Sequence, residues 1–249
     1  MLSEKFILIT GANGGICSSV AELLLENNAN LVLLYNKNRQ NIDKLLFKYK
    51  NSKKKIIVKQ VDLTDTEKID EVMKEILKTA IIDIFIHGPT FEITPKNIMK
   101  IEWSEFQKNI ELQTKVFLQI TKFIIPSMKE KGAGKIISIL SSSVIGKPPS
   151  MMSSYVVGKY ALLGISKCLA VELGKFGVSV NSISPSMTKT SLTEKFPSKY
   201  REIAASQVPL KGKIAEPNEI ASVIFFLCSK YSDYMSGENL IVSGSQTMH

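Results

Sequence analysis

The sequence predicts an α/β protein built on a doubly wound parallel sheet, and three observations predict it. Short runs of β-branched and apolar residues alternate with amphipathic segments along the chain. The runs are nearly continuous in apolar character, the pattern of strands covered on both faces. The first of them leads into the glycine-rich turn Thr10-Gly11-Ala12-Asn13-Gly14-Gly15-Ile16-Cys17, after which a helical pattern begins.

Taken in order, strands are expected at residues 6–9, 30–34, 55–61, 82–86, 135–140, 178–184 and 239–242. Apolar residues at helical spacing place helices at 18–27, 67–79, 103–129, 154–175 and 217–229 between them. Right-handed crossovers then give a sheet of about seven strands with helices on both faces. No Pro/Ser/Gly-rich linker and no internal repeat divides the chain, so residues 1–249 are expected to form a single domain. The least strand-like insertion, 188–212, is expected to be a mobile flap over a ligand crevice.

Composition bounds the function. At 249 residues the chain is long enough to bury a sizeable core. No stretch approaches the ~18 uninterrupted apolar residues of a membrane span, and 6–9 reads as a core strand where a targeting segment would lie. Cys17, Cys168 and Cys228 are too few for a disulfide framework and show no metal-ligand spacing, which implies a reducing, cytoplasmic setting and no metal. The net charge of +9 does not imply nucleic acid, because Arg39 and Arg201 are the only arginines and the lysines are dispersed.

Glycines at a strand-to-helix turn let backbone approach a pyrophosphate, and the helix N-terminus supplies amides and partial positive charge. Gly11, Asn13, Gly14, Gly15 and Ile16 are therefore candidate cofactor contacts. An NAD site places an Asp or Glu at the end of the second strand to bond both ribose hydroxyls. Here Tyr35-Asn36-Lys37-Asn38-Arg39 offers no acid and two cations, so Asn36, Lys37 and Arg39 point to a 2′-phosphate and to NADP(H), with NAD(H) the alternative. Asp62, followed by Leu63, can accept from an adenine amino group or cap the next helix.

Tyr155 and Lys159 lie four residues apart, just after the serines Ser141, Ser142 and Ser143. Residues i and i+4 share a helix face, so the phenol and the ammonium are stacked about one turn apart. A nearby cation favours the phenolate, which suits Tyr155 to proton transfer near neutral pH.

With the glycine turn, the serines and the Tyr155/Lys159 pair in this order, the chain resembles the classical short-chain dehydrogenase/reductase family over nearly its whole length. Asn181-Ser182-Ile183-Ser184-Pro185 and Ser236-Gly237-Glu238-Asn239 strengthen the likeness. The resemblance implies a single-domain Rossmann-type fold and hydride transfer between NAD(P) and a carbonyl/alcohol pair. It implies Tyr155 as general acid/base, Lys159 holding the nicotinamide ribose and lowering the tyrosine pKa, and a serine bonding the substrate oxygen. Strand matching points to Ser141, spacing from the tyrosine to Ser142. Thr190, with Pro185 and Thr188 before it, would contact the nicotinamide carboxamide.

Several positions depart from the family pattern. Cys17 stands for the third glycine of the turn, where inert packing is expected. His87-Gly88-Pro89-Thr90 replaces Asn-Asn-Ala-Gly, and His87 and Gly88 would line the adenosine side of the cleft or substitute structurally. Gln113 falls where the family has a proton-relaying Asn, with Asn109 a weaker candidate, and Ser186 stands for a Gly. Relatives reduce 3-oxoacyl thioesters or act in sugar and glycan synthesis; Leu192, Phe196 and Tyr200 with Lys195 and Lys199 in the 188–212 segment mix apolar and cationic contacts that would suit an acyl carrier or a phosphorylated substrate. A homodimer or homotetramer through the 103–129 and 154–175 helices is implied. The other readings are a weakly active NAD(P)-binding scaffold or sensor, and an epimerase or dehydratase, for which the chain is too short to carry the added substrate domain.

Overall fold

The computed structural model describes residues 2–248, so the expected domain limits 1 and 249 lie outside the described residues. Seven strands are all parallel: β1 (Phe6–Thr10), β2 (Asn30–Tyr35), β3 (Ile56–Gln60), β4 (Ile82–His87), β5 (Gly134–Ile139), β6 (Val178–Pro185) and β7 (Asn239–Val242). Their order across the sheet is β3-β2-β1-β4-β5-β6-β7. The chain winds outward from β1 to β3 and then returns to the other side of β1 with β4. The β1/β4 boundary is thus a topological switch point, where the loops leaving two strand ends diverge and open a crevice.

Eight α-helices are described: α1 (Gly15–Glu26), α2 (Gln40–Lys48), α3 (Thr66–Leu77), α4 (Trp103–Ile110), α5 (Val116–Lys131), α6 (Ser153–Gly174), α7 (Ser198–Ser206) and α8 (Pro217–Cys228). The two apolar faces of the sheet make two separate cores. On one face Leu8, Val32 and Phe85 pack with Ile69 and Met73 of α3, Phe117 and Ile120 of α5, and Leu162 of α6. On the other Ile7, Ile9, Leu31 and Leu33 pack with Val20 and Leu24 of α1 and Ile220 and Ile224 of α8. This two-sided burial is why the strands read as continuous apolar runs.

Two elements were not expected from the sequence. Helix α2 is short and polar on its outer face, burying only Ile42 and Leu45. Its N-terminus is held from outside: Asn13 Oδ1 accepts from the amides of Asn41 (2.8 Å) and Ile42 (3.4 Å), and Asn41 Nδ2 donates to the Asn13 carbonyl (2.9 Å). Helix α7 lies within 188–212, whose base is pinned by a parallel bridge between Thr188 and Ala215.

The helix expected over 103–129 is interrupted. A π-helical turn, Glu111–Lys115, joins α4 to α5, widening the helix by the one residue that carries Gln113 inward. No helix among the described residues is long and apolar enough to cross a membrane.

Candidate active site

The C-terminal ends of β1 and β4 meet at two glycines. Gly11 has φ +67°, and a Cβ there would come within 2.9 Å of Pro89 Cα. A side chain at Gly88 would collide with Cys17 Sγ and come within 3.0 Å of Ile139 Cδ1. The thiol at the third position of the turn is therefore accommodated by the absence of a side chain across from it. Burial pushes the Cys17 thiol up to about 12, and it contacts the Thr10 carbonyl at 3.7 Å, so it is an inert packing group. Gly88→Ala is expected to destabilise the protein by about 1–3 kcal/mol. In a Cys17→Ala background the same change should cost less; equal losses in urea unfolding of both backgrounds would refute the pairing.

Helix α1 begins at the crevice with Gly14 as its N-cap. No side chain caps it and no acid occupies its first turn. Gly14, Gly15, Ile16, Cys17 and Gly88 line one end of a cleft of about 720 Å³, where the α1 amides stay available to an anion. Thr190 closes over this turn: its Cγ2 fills the space a Gly15 side chain would take.

Helix α6 carries Tyr155 and Lys159 on the face turned toward the β5 end, and both line the same cleft. Lys159 is 3% exposed; its Nζ donates to the Ile139 carbonyl (2.7 Å) and to Gln113 Oε1 (3.0 Å). Burial depresses this ammonium to about 7. Gln113 Nε2 in turn donates to the Pro89 carbonyl (2.9 Å), so the π turn ties the lysine to the loop after β4. Asn109 donates instead to the Glu105 carbonyl within α4 and takes no part.

The Tyr155 phenol differs from expectation. Burial raises its pKa, and the Ser141 hydroxyl beside it only partly offsets this. The lowering expected from Lys159 is not met: the ammonium is itself disfavoured by burial and directed at Gln113 and Ile139, with Nζ 5.9 Å from the tyrosine ring centroid. Among the serines, Ser141 is the one whose hydroxyl acts on the phenol, and it also accepts from the Ser143 amide (3.2 Å). Ser142 lines the cleft in the following 3-10 turn without a described bond to Tyr155. Pro185, Thr188 and Thr190 line the cleft from the β6 side.

Other expected contacts lie elsewhere. His87 is fully buried and does not line the cleft: its Nδ1 bonds Thr10 Oγ1 (3.0 Å), and Phe85 and Phe117 flank its ring. Burial depresses His87 to about 3, which makes it a neutral core residue. Leu63 likewise packs in a core. Asn13 is committed to capping α2. Arg39 is turned onto Asp43 (2.7 Å). Asp62 accepts from the Thr64 amide (2.9 Å) and hydroxyl (2.8 Å) and is held below the usual carboxylate range, while the cap of α3 is Asp65. Asn36, Lys37, Arg39 and Asp62 sit past the ends of β2 and β3, on the crevice side of the sheet but outside the cleft lining.

Leu192, Phe196 and Tyr200 of the 188–212 segment line the cleft as expected, but sequence reasoning missed the rest of that wall. Ile203 and Ala204 of α7 and Gln207 just past its end line the cleft together with Gln246 and Thr247 near the C-terminus. The 200/203/204/207 spacing is that of one helix face and was available in the sequence.

The strand order and the position of the cleft are those of a Rossmann-type oxidoreductase. Residues 11–246 match the sequence model of a family described as enoyl-(acyl carrier protein) reductase. The chain is 29% identical to the 3-oxoacyl-(acyl-carrier-protein) reductase FabG of Thermotoga maritima, over 98% of both chains. It is 28% identical, again over 98% of both, to a 3α-hydroxysteroid dehydrogenase of Mediterraneibacter gnavus. Among solved structures, levodione reductase superposes with a TM-score of 0.91 at 21% identity, over 99% of this chain and 98% of that one. A 3-ketoacyl-(acyl-carrier-protein) reductase from Brucella melitensis complexed with NADH gives 0.87 at 23%, over 100% of both. The chain belongs to the classical short-chain dehydrogenase/reductase family, a family of oxidoreductases.

Proposed function

We propose that the chain is an NADP(H)-dependent reductase or dehydrogenase that moves a hydride between nicotinamide and a carbonyl/alcohol carbon. The observation that carries this reading is the convergence of the Tyr155 and Ser141 hydroxyls with the buried Lys159 in one cleft. The other end of that cleft is an uncapped helix N-terminus behind a side-chain-free turn, a cradle suited to a pyrophosphate. Gly14, Gly15, Ile16, Thr188 and Thr190 would hold the dinucleotide, which supplies the hydride.

The chain's own residues handle the proton. Ser141 holds the substrate oxygen and Tyr155 Oη donates to it as the carbonyl carbon is reduced; in the reverse direction the phenolate takes the proton back. A phenol kept protonated by burial is ready for the reducing direction. Lys159, fixed by Ile139 and Gln113, stands one turn away, where it would hold the nicotinamide ribose. Assay of nicotinamide oxidation against a panel of ketones and 3-oxoacyl thioesters tests the reading; tight cofactor binding without turnover on any of them would instead favour a binding module.

The preference for NADP(H) rests on the missing acid after β2 and on Lys37. With Arg39 held by Asp43, Lys37 is the cation left to meet a 2′-phosphate. Lys37→Glu is expected to shift the kcat/KM ratio at least tenfold toward NADH; an unchanged ratio would remove Lys37 from the site. The likeness to FabG supports a 3-oxoacyl thioester as substrate. Support for a phosphorylated one falls away, because Lys195 pairs with Glu92 (2.5 Å) and neither it nor Lys199 lines the cleft. In this reading 188–212 covers the bound substrate. The assembly is a cytoplasmic homodimer or homotetramer joined through α4, α5 and α6, where Trp103 and Val171 are 69% and 84% exposed.

A further inference from the structure

We infer that the substrate is an uncharged, largely apolar carbonyl compound, and that Gln207 and Gln246 select it by bonding an uncharged polar group at its far end. This rests on the reading of the cleft as a carbonyl-reducing site and deepens it. The wall that carries the inference is built from two separated segments. Helix α7 presents Tyr200, Ile203 and Ala204 along one face, Gln207 continues that face just past its end, and the turn at 243–247 closes beside it.

That turn is held by the segment that follows α7, by one contact to α7 itself and by its own hydrogen bonds. Leu210 N donates to the Gly244 carbonyl (3.1 Å), and Val208 Cγ1 packs where a Gly244 side chain would stand. Gln246 Nε2 reaches the Ala204 carbonyl (3.5 Å), and Ser243 Oγ donates to the Thr247 carbonyl (2.9 Å). The Gln246 amide is thereby oriented, with its oxygen left as an acceptor. Tyr200, whose ring packs against Phe196 (5.3 Å between centroids), and Ile203 are 39% and 49% exposed and line the open cleft.

The charge inventory sets the class of ligand. Among the described residues no carboxylate lines the cleft, and the only cations that line it are Lys159 and Lys147. Lys159 is engaged by Ile139 and Gln113, and Lys147 is exposed on the 146–152 loop, which is not part of the α7 wall. Around the outside, Lys195, Lys189 and Lys213 face Glu92, Glu216 and Glu219, and none of these lysines lines the cleft. A carboxylate or phosphate at the α7 end would exchange water for two neutral amides with no counter-charge, a costly transfer. An ester, hydroxyl or amide makes the same exchange at little cost. Its apolar body leaves water to lie against Ile93, Met152, Met187, Leu192 and Phe196, which favours binding.

The test uses the full-length protein with NADPH and a matched pair, ethyl 4-oxocyclohexanecarboxylate and the free 4-oxocyclohexanecarboxylate anion. Binding is read by ligand-detected NMR and turnover by nicotinamide absorbance, so that the two are separable. The ester is expected to bind at least tenfold tighter than the acid. Gln207→Lys should improve the acid relative to the ester at least fivefold, and Gln246→Leu should raise the ester KM severalfold while kcat is kept. Acetoacetyl N-acetylcysteamine thioester, uncharged and ending in an amide, tells an open-chain source of this chemistry from a cyclic one. Equal binding of ester and acid, no binding of any neutral ketone, or an unchanged ratio in Gln207→Lys would overturn the inference. An ester that binds but is never reduced would leave it standing and sink the proposed activity.

Discussion

Tyr155→Phe is expected to lower NADPH-dependent carbonyl reduction by about 10²–10⁴-fold while leaving the protein folded and able to bind nicotinamide cofactor. Phenylalanine keeps the ring and removes only the hydroxyl beside Ser141, so the packing with Met152, Val156 and Phe196 is preserved. The loss should appear in kcat and kcat/KM together, since the proton is transferred in the transition state. Cofactor titration and thermal melting would show whether binding and folding survive. Turnover equal to wild type would exclude Tyr155 as the acid.

Lys159→Met is the second large effect, and it separates chemistry from stability. The folded-state pKa of Lys159 is about 7 against 10.5 for the free side chain, because burial penalises the ammonium. Between those values the unfolded chain binds the proton that the folded chain has released. Stability of the cofactor-free protein therefore rises with pH through this window, by an amount on the order of a few kcal/mol. Above pH 9 the trend is opposed by Cys17 and Cys228, whose folded values of about 12 favour ionisation in the unfolded chain. Denaturant unfolding at pH 7, 8 and 9 should thus show a rising stability in wild type and a flatter profile in Lys159→Met. The same variant should lose about 10²-fold or more in kcat/KM, since the group that would hold the nicotinamide ribose beside Tyr155 is gone. Parallel pH profiles in the two proteins would show that Lys159 is not the buried titrating group.

On the acid side His87 works in the same direction. Its folded value of about 3 lies below 6.5, so the unfolded chain takes up the proton first and stability falls as the pH drops below 6.5. The position read as a possible lining residue is thus a liability of the core at low pH, bonded to Thr10 and enclosed by Phe85 and Phe117.

The limits of the sequence reading follow the physics of each element. All seven strands were visible because a parallel sheet buried on both faces leaves an uninterrupted apolar run, a local signal. Helix α2 was not, because it buries two side chains and takes its N-terminal cap from Asn13, 28 residues upstream of Asn41. Helix α7 was hidden by a similar cause: its apolar face is turned to a cleft and leaves only Ala204 buried. The π turn at Glu111–Lys115 has no sequence signature of its own, yet it decides where Gln113 points.

By itself the sequence determined the sheet, the glycine turn and the pairing of Tyr155 with Lys159 on one helix face. Each rests on neighbours close along the chain: an apolar run, a strand-to-helix turn, an i, i+4 spacing. Tertiary structure alone decided the state of those groups. Burial, not the adjacent ammonium, sets the Tyr155 phenol; Gly88 makes room for Cys17; Asn13 and Arg39 are spent on α2 and Asp43. It also brought residues 200–207 and 246–247 to one wall. Desolvation and contact between distant segments depend on where the chain folds back, and no window of sequence contains that distance.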